Sequence, residues 1–417
     1  MLCVPDSPPP ARLRPETDVL TRGFDPSLSV GSARPAVFRS STYVFSSPEA
    51  AERAFDIMGG RAERTSEEDV DLVYSRFNHP NAQILEDQIL PLEPGANAAA
   101  AFNSGMAAIM TAMLAVLRPG DSVVYTVPIY GGTQTLIQSF LEPFGVRGVA
   151  VAGGQGEEID AAIRAARNLR VVLIETPANP TMVMTDIRHV SKTCSTLAER
   201  PLVMVDNTFL GPAFQHALTL GADVSLYSAT KYLGGFSDII GGVALSKDID
   251  LMSKIRSKRS LFGNILQPDE CWLLDTRLPT VHLRMNRQSK NAQRIAEALA
   301  KHPKIRRVYY PTLFEDVEQT RIYQEQCAHP GGLVSFDLAG GKRAAFDLLR
   351  HLQLARNAVS LGGVETLACH PRSTTHSAWN AKDLDEAGIG EGLVRVSFGI
   401  EDWQDLLHDF ERALERA

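Results

Sequence analysis

The stretch Val224-Ser225-Leu226-Tyr227-Ser228-Ala229-Thr230-Lys231-Tyr232-Leu233-Gly234-Gly235 is a short apolar run that stops at two hydroxyls and a lysine, then at a glycine pair. Four residues bounded in this way read as a buried strand. The run before it, Leu202-Val203-Met204-Val205, ends in the same manner at Asp206-Asn207-Thr208. Further towards the N-terminus, residues 171–175, 148–151 and 122–127 read as strands, with helical stretches near 134–142, 160–167 and 186–199 between them. Apolar strands alternating with helices predict an α/β fold, a mostly parallel sheet covered on both faces. Ligands in such sheets sit beyond the carboxyl ends of the strands, which directs attention to the polar residue after each one.

The pattern continues on both sides of this core. Residues 82–92 are amphipathic, and residues 105–117 form an almost wholly apolar helix ended by Pro119-Gly120. Residues 1 to about 78 carry few helix signals and many turn-formers, and read as an extended N-terminal arm with a mobile insert over residues 61–71. Beyond Arg277 the periodicity lengthens into helices over 284–302, 342–351 and 402–416, with strands at 333–338 and 393–398. The expected organisation is an arm over 1–78, a large domain over 79–280 and a smaller α/β C-terminal domain over 281–417.

Composition narrows the classes. At 417 residues with 44% hydrophobic and 22% charged side chains, the chain is globular, with room for two sizeable cores. A net charge of −7 without a basic stripe argues against nucleic acid. No apolar run approaches the ~18 residues of a membrane span and no secretory leader opens the chain, so a cytoplasmic enzyme is expected. Cys3, Cys194, Cys271, Cys327 and Cys369 are scattered and give neither a metal set nor a redox pair.

The residues at the strand ends carry chemistry. A lysine between an apolar strand and glycines is either a solvated surface group or a partly desolvated one, whose lowered pKa leaves an amine able to form an imine. Asp206 at a strand terminus either caps its turn or holds a protonated ring nitrogen, as pyridoxal phosphate chemistry requires. Ser104-Gly105-Met106 opens the apolar helix and suits a phosphate at its positive end, or is an ordinary cap. Ser228 and Thr230 offer hydroxyls to the same phosphate. Tyr130, beside Gly131-Gly132, is a ring that can stack on a flat cofactor or pack in the core. Asn179 is presented by Thr176-Pro177-Ala178-Asn179-Pro180-Thr181, and Arg395 within a late strand needs a buried anion, either a substrate carboxylate or an internal partner.

Taken together, Tyr74-Ser75-Arg76, Ser104-Gly105-Met106, Tyr130-Gly131-Gly132-Thr133, Glu175-Thr176-Pro177-Ala178-Asn179-Pro180, Asp206-Asn207-Thr208 and Ser228-Ala229-Thr230-Lys231 resemble the Cys/Met-metabolism family of pyridoxal-phosphate enzymes. The likeness extends through Ser360-Leu361-Gly362-Gly363 and His370-Pro371 to the last strand. It implies fold type I, a pyridoxal 5'-phosphate cofactor carried as a Schiff base on Lys231, and a homotetramer of two active-site dimers. By the same resemblance Ser104, Gly105, Met106, Ser228 and Thr230 hold the phosphate. Tyr130 stacks on the ring and assists proton movement, and Asp206 meets the ring nitrogen. Asn179 lies by the cofactor oxygen and the substrate carboxylate, which Ser360 and Arg395 receive. Tyr74 and Arg76 match a pair that crosses to the neighbouring subunit's phosphate, with Tyr74 also serving catalysis.

Within that family the resemblance points to a C–S lyase acting at Cγ of methionine- or cystathionine-like substrates. Val359 stands where cystathionine synthases and γ-lyases often carry glutamate, which favours a less polar distal group. Gly132 and Arg259-Ser260 depart from specialised methionine γ-lyases, which often have cysteine and a Lys-Asp pair there. The alternative is γ-replacement, as in O-acylhomoserine sulfhydrylases or cystathionine γ-synthases; a non-catalytic subunit is more distant. A nicotinamide enzyme fits poorly, because Ile159 replaces the third glycine after Gly154-Gln155-Gly156.

Overall fold

The computed structural model describes residues 13–20, 22–63, 65 and 72–417. Cys3 and the acidic end of the expected insert, residues 66–71, lie outside the described residues.

The central sheet has seven strands: β1 (Ala98–Phe102), β2 (Ser122–Val127), β3 (Arg147–Ala152), β4 (Leu169–Glu175), β5 (Leu202–Asp206), β6 (Val224–Ser228) and β7 (Gly242–Ser246), in the order β1-β7-β6-β5-β4-β2-β3. β7 pairs antiparallel with both β1 and β6, whereas β6, β5, β4, β2 and β3 pair in parallel. Alternate residues of each strand serve opposite cores. Val171 and Leu173 pack with Ile109 and Met113 of the helix Gly105–Val116. Val172 and Ile174 pack with Ile159, Ile187 and Val190 from the helices Gly156–Ala165 and Ile187–Cys194. Both faces are therefore apolar and covered, as uninterrupted Val/Ile/Leu strands require.

A second sheet holds β8 (Ile305–Tyr309), β9 (Leu333–Leu338), β10 (Arg356–Asn357), β11 (Leu367–Cys369) and β12 (Leu393–Ser397), ordered β10-β11-β12-β9-β8. The helices Val281–Leu299, Gly341–His351 and Trp403–Glu415 share its core through Ile295, Leu348 and Phe410.

The sequence reading omits β1 and β7, which pair over Ala98↔Ser246 to Phe102↔Gly242. It also omits the helices Ile249–Phe262 and Pro268–Arg277. The arm is less extended than expected, since Pro48–Met58 is helical. Ser47 accepts the Ala50 N–H at 3.1 Å and Pro48 occupies the first turn, both ordinary start signals. Near 134–142 the chain forms a short α-turn, Gly131–Thr135, followed by a wider π-turn, Leu136–Leu141. Among the described residues no helix is long and apolar enough to cross a membrane.

Candidate active site

The carboxyl ends of β4, β5 and β6 open into a cavity of about 330 Å³. Ser104, Gly105, Met106, Tyr130, Asn179 and Asp206 line it, together with Ser228, Thr230, Lys231, Ser360 and Arg395. Residues from both sheets thus converge on one space.

Lys231 follows β6, and its Nζ donates to the Ser360 hydroxyl at 2.9 Å. Burial and the nearby Arg395 guanidinium lower its pKa to about 8, against the pull of Asp206. A substantial neutral fraction near physiological pH is what a nucleophilic amine needs. Ser360 itself sits at φ +93°, a left-handed conformation that non-glycine residues seldom adopt.

Asp206, the last residue of β5, lies in register with Glu175, the last of β4. Asp206 Oδ1 accepts both the Thr208 N–H at 3.1 Å and the Thr208 hydroxyl at 2.6 Å, which leaves Oδ2 to receive a ring N–H. Burial raises the pKa of Asp206 despite these bonds. A cationic ring nitrogen beside it would restore the charged carboxylate.

On the opposite side, Arg395 of β12 donates from Nη1 to Asn179 Oδ1 and from Nη2 to the Ser360 carbonyl, both at 2.9 Å. Its Nε is buried without a partner, so the guanidinium keeps donor capacity for an anion.

The phosphate end is built from small groups. Ser104 caps the helix Gly105–Val116 by accepting the Ala107 N–H at 3.0 Å. A Cβ on Gly105 would stand 2.9 Å from Ser228 Cβ, so only glycine allows this helix start to approach the end of β6. Thr230 exchanges hydrogen bonds with Gly241, and the Ser228 N–H donates to Thr208 Oγ1 at 2.9 Å. The free Oδ2 of Asp206, the unpaired Nε of Arg395, the lowered lysine and the glycine cradle fit pyridoxal phosphate.

Two expected residues lie elsewhere in the chain. Tyr74 and Arg76 border a separate cavity of about 470 Å³ with Arg39, His79 and Gly263. Arg76 Nη1 donates to the Ser260 carbonyl at 2.7 Å, and its guanidinium covers the Phe77 ring at 4.8 Å. Arg259 does not line either space; it is buried in an ion pair with Glu86.

Four neighbours were not singled out from sequence. Glu175 and Thr208 line the cavity, as does Thr375, whose hydroxyl meets His376 Nδ1 at 2.9 Å. His376 is fully buried, and burial followed by Arg395 pushes its pKa down to about 4. Glu175 ends a strand and Thr208 stands two residues beyond one, placements shared by many non-functional residues. The Thr375-His376 pair lies in a loop whose proximity depends on the second sheet.

The mostly parallel sheet and the lysine, aspartate and glycine cradle at its strand ends define a fold-type I pyridoxal-phosphate enzyme. The Cys/Met metabolism PLP-dependent enzymes match residues 16–415, and the chain belongs to that family. Among curated relatives, the L-methionine gamma-lyase of Fusobacterium nucleatum subsp. nucleatum is 39% identical over 388 residues, 93% of this chain and 94% of that one. Cystathionine beta-lyase MetC of Bacillus subtilis is 40% identical over 82% of this chain and 86% of its own length. Among solved structures, the cystathionine gamma synthase of Xanthomonas oryzae pv. oryzae with cystathionine superposes with a TM-score of 0.87 at 31% identity, covering 97% and 99% of the two chains. The protein is an enzyme of sulfur amino-acid metabolism that uses pyridoxal phosphate and acts on a small amino acid.

Proposed function

We propose that this enzyme performs γ-elimination on methionine- or cystathionine-like amino acids, giving a 2-oxo acid, ammonia and a thiol. The observation that carries the reading is the cavity's charge pattern. Its charged lining residues are Glu175, Asp206, Lys231 and Arg395, so one guanidinium is present for one substrate carboxylate. Val359, Ile240, Phe209 and Leu361 supply apolar surface, which, of the two substrate types, favours a methionine-like thioether over cystathionine, whose distal group carries a second carboxylate.

Lys231, Asp206, Ser104, Gly105, Met106, Ser228, Thr230 and Tyr130 would hold pyridoxal phosphate, which when bound supplies an electron sink for negative charge at the substrate carbons. Arg395 binds the α-carboxylate, and Asn179 and Ser360 fix the guanidinium's direction. The Lys231 amine takes the proton from Cα and moves a second from Cβ, with the Ser360 hydroxyl holding Nζ in place. Asp206 keeps the ring nitrogen protonated, and the Tyr130 phenol assists proton movement. With charge relayed to Cβ, the C–S bond at Cγ breaks and the sulfur leaves as thiolate. Water admitted afterwards completes elimination; a thiol admitted instead gives replacement.

Among the described residues, Lys231 and Arg395 are the lysine and arginine side chains that line the cavity, and Tyr74 and Arg76 stand outside it. This supports an assembly in which those two residues complete a neighbour's site, in a homotetramer of paired chains. The same reading gives an arm over 1–78, a cofactor domain over 79–280, a C-terminal domain over 281–417 and a cytoplasmic location.

The test is incubation with methionine, cystathionine, homocysteine, or O-acetylhomoserine plus sulfide, assayed for 2-oxobutanoate, ammonia and, in the last mixture, newly formed homocysteine. Methionine or cystathionine should yield 2-oxobutanoate and ammonia. Homocysteine from O-acetylhomoserine and sulfide, without 2-oxobutanoate from any substrate, would replace this reading by γ-replacement. No product at all would leave a non-catalytic subunit.

A further inference from the structure

The carboxylate of Glu175 is divided between two walls of the cavity. Oε2 accepts the Tyr130 N–H at 2.7 Å and Oε1 accepts the Asn179 N–H at 2.8 Å. Tyr130 follows β2 and Asn179 follows β4, so one side chain at the end of β4 ties together loops from adjacent strands. From Asn179 the hydrogen bonds continue to Arg395 Nη1, and Arg395 Nη2 reaches the Ser360 carbonyl. An unbroken path therefore joins the backbone of the ring wall to the guanidinium that faces the substrate.

The residue type matters as much as the position. Glu175 is 4% exposed and stands in register with a second, partly buried carboxylate, Asp206. Burial and then Asp206 push its carboxyl up to about 8, with the two N–H groups and Arg395 opposing. A glutamine would avoid that electrostatic cost, yet it has one acceptor oxygen and an NH2 group, and cannot accept from both N–H donors with separate oxygens. A carboxyl group keeps acceptor capacity on both oxygens with or without its proton, and so can meet N–H groups from two loops.

We propose that Glu175 is a positioning residue that sets the separation between the Tyr130 ring wall and the Asn179–Arg395 pole through two backbone N–H groups. The part concerning substrate rests on the assignment of Arg395 to the α-carboxylate. Glu175 acts through its neighbours and takes no part in proton transfer.

The experiment compares Glu175→Gln and Glu175→Ala with the unaltered holoenzyme. Cofactor content is read from absorbance near ~420 nm, geometry around the cofactor from visible circular dichroism, and turnover from kcat and KM on the best substrate of the panel. E175Q should keep its cofactor, lose dichroic intensity, and shift either KM or kcat by about fivefold to tenfold, the worth of one hydrogen bond. E175A should shift both. Cofactor-loaded variants with unaltered dichroism, KM and kcat would overturn the proposal. So would a fall in activity that only tracks lost cofactor at constant KM. If E175A does not fold, E175Q decides alone. Arg395→Ala separates the two readings: an unchanged KM there defeats the carboxylate assignment, while the dichroism of E175Q still judges the clamp.

Discussion

Lys231 Nζ and the Ser360 hydroxyl meet at 2.9 Å across 129 residues of chain, one at the end of the central sheet and the other in the loop ahead of β11. Ser360 adopts a left-handed φ of +93° to make the contact, so the bond joins the two halves of the site at a local conformational cost. Replacing Ser360 with alanine should leave cofactor absorbance intact and lower kcat by about twofold to tenfold, the range for one net hydrogen bond. Steady-state kinetics on cofactor-saturated protein measures it.

The lowered pKa of Lys231 sets a pH dependence for cofactor uptake. The amine reacts only when neutral, and its proton leaves as pH rises through about 8. Uptake of pyridoxal phosphate by apoenzyme should therefore accelerate with pH and level off above that value. An ordinary lysine would still be accelerating at pH 10. Stopped-flow absorbance across pH 6–10 (about that range suffices) distinguishes the two curves.

Arg395→Lys keeps the charge and removes the planar fork that meets Asn179 and the Ser360 carbonyl. The expected loss in kcat/KM is about 10- to 100-fold, carried mainly by KM, corresponding to roughly 1.5–3 kcal/mol for a charged hydrogen bond. Unchanged KM would place the substrate carboxylate elsewhere.

Gly105→Ala adds a methyl that would lie 2.9 Å from Ser228 Cβ and 3.0 Å from its Cα. The helix itself would gain from alanine, so a loss of function here isolates the close approach. Overpacking of about 1–3 kcal/mol should weaken pyridoxal phosphate binding by roughly fivefold to a hundredfold, as titration of apoenzyme would show.

Glu86→Ala tests stability away from the cavity. Glu86 meets Arg256 Nη2 at 2.9 Å, pairs with the buried Arg259 and accepts the Ala101 N–H at 2.9 Å. Its removal strands a buried guanidinium, for which about 3–5 kcal/mol is expected. The midpoint of urea unfolding should fall accordingly.

The legibility of this chain in its sequence follows from how local each signal is. β5 and β6 carry their own evidence, apolar runs with Asp206 and Lys231 at their ends, and both stand where expected. β1 does not, because Ala98-Ala99-Ala100-Ala101-Phe102 is composed of a helix-favouring residue and becomes a strand only by pairing with β7. The helix Pro48–Met58 was readable from Ser47 and Pro48 and was obscured by the turn-formers around it. Glu175 was visible as a strand end. Its tie to Tyr130, 45 residues away, depends on β2 and β4 lying side by side, which only the assembled sheet fixes. Arg259 departs from the family pattern by residue type alone, whereas its ion pair with Glu86, 173 residues away, depends on the assembled fold.

Gly105 lets the helix start come close to β6, and the cradle that Ser104, Gly105, Met106, Ser228 and Thr230 form offers a dianion neutral hydroxyls and N–H groups, with no cationic side chain among those five. If Arg76 arrives from a neighbour, cofactor retention becomes a function of two concentrations, that of pyridoxal phosphate and that of the protein. Dilution should then bleach the enzyme. A series of absorbance spectra at falling protein concentration would thus count subunits, with the cofactor as its own reporter of assembly.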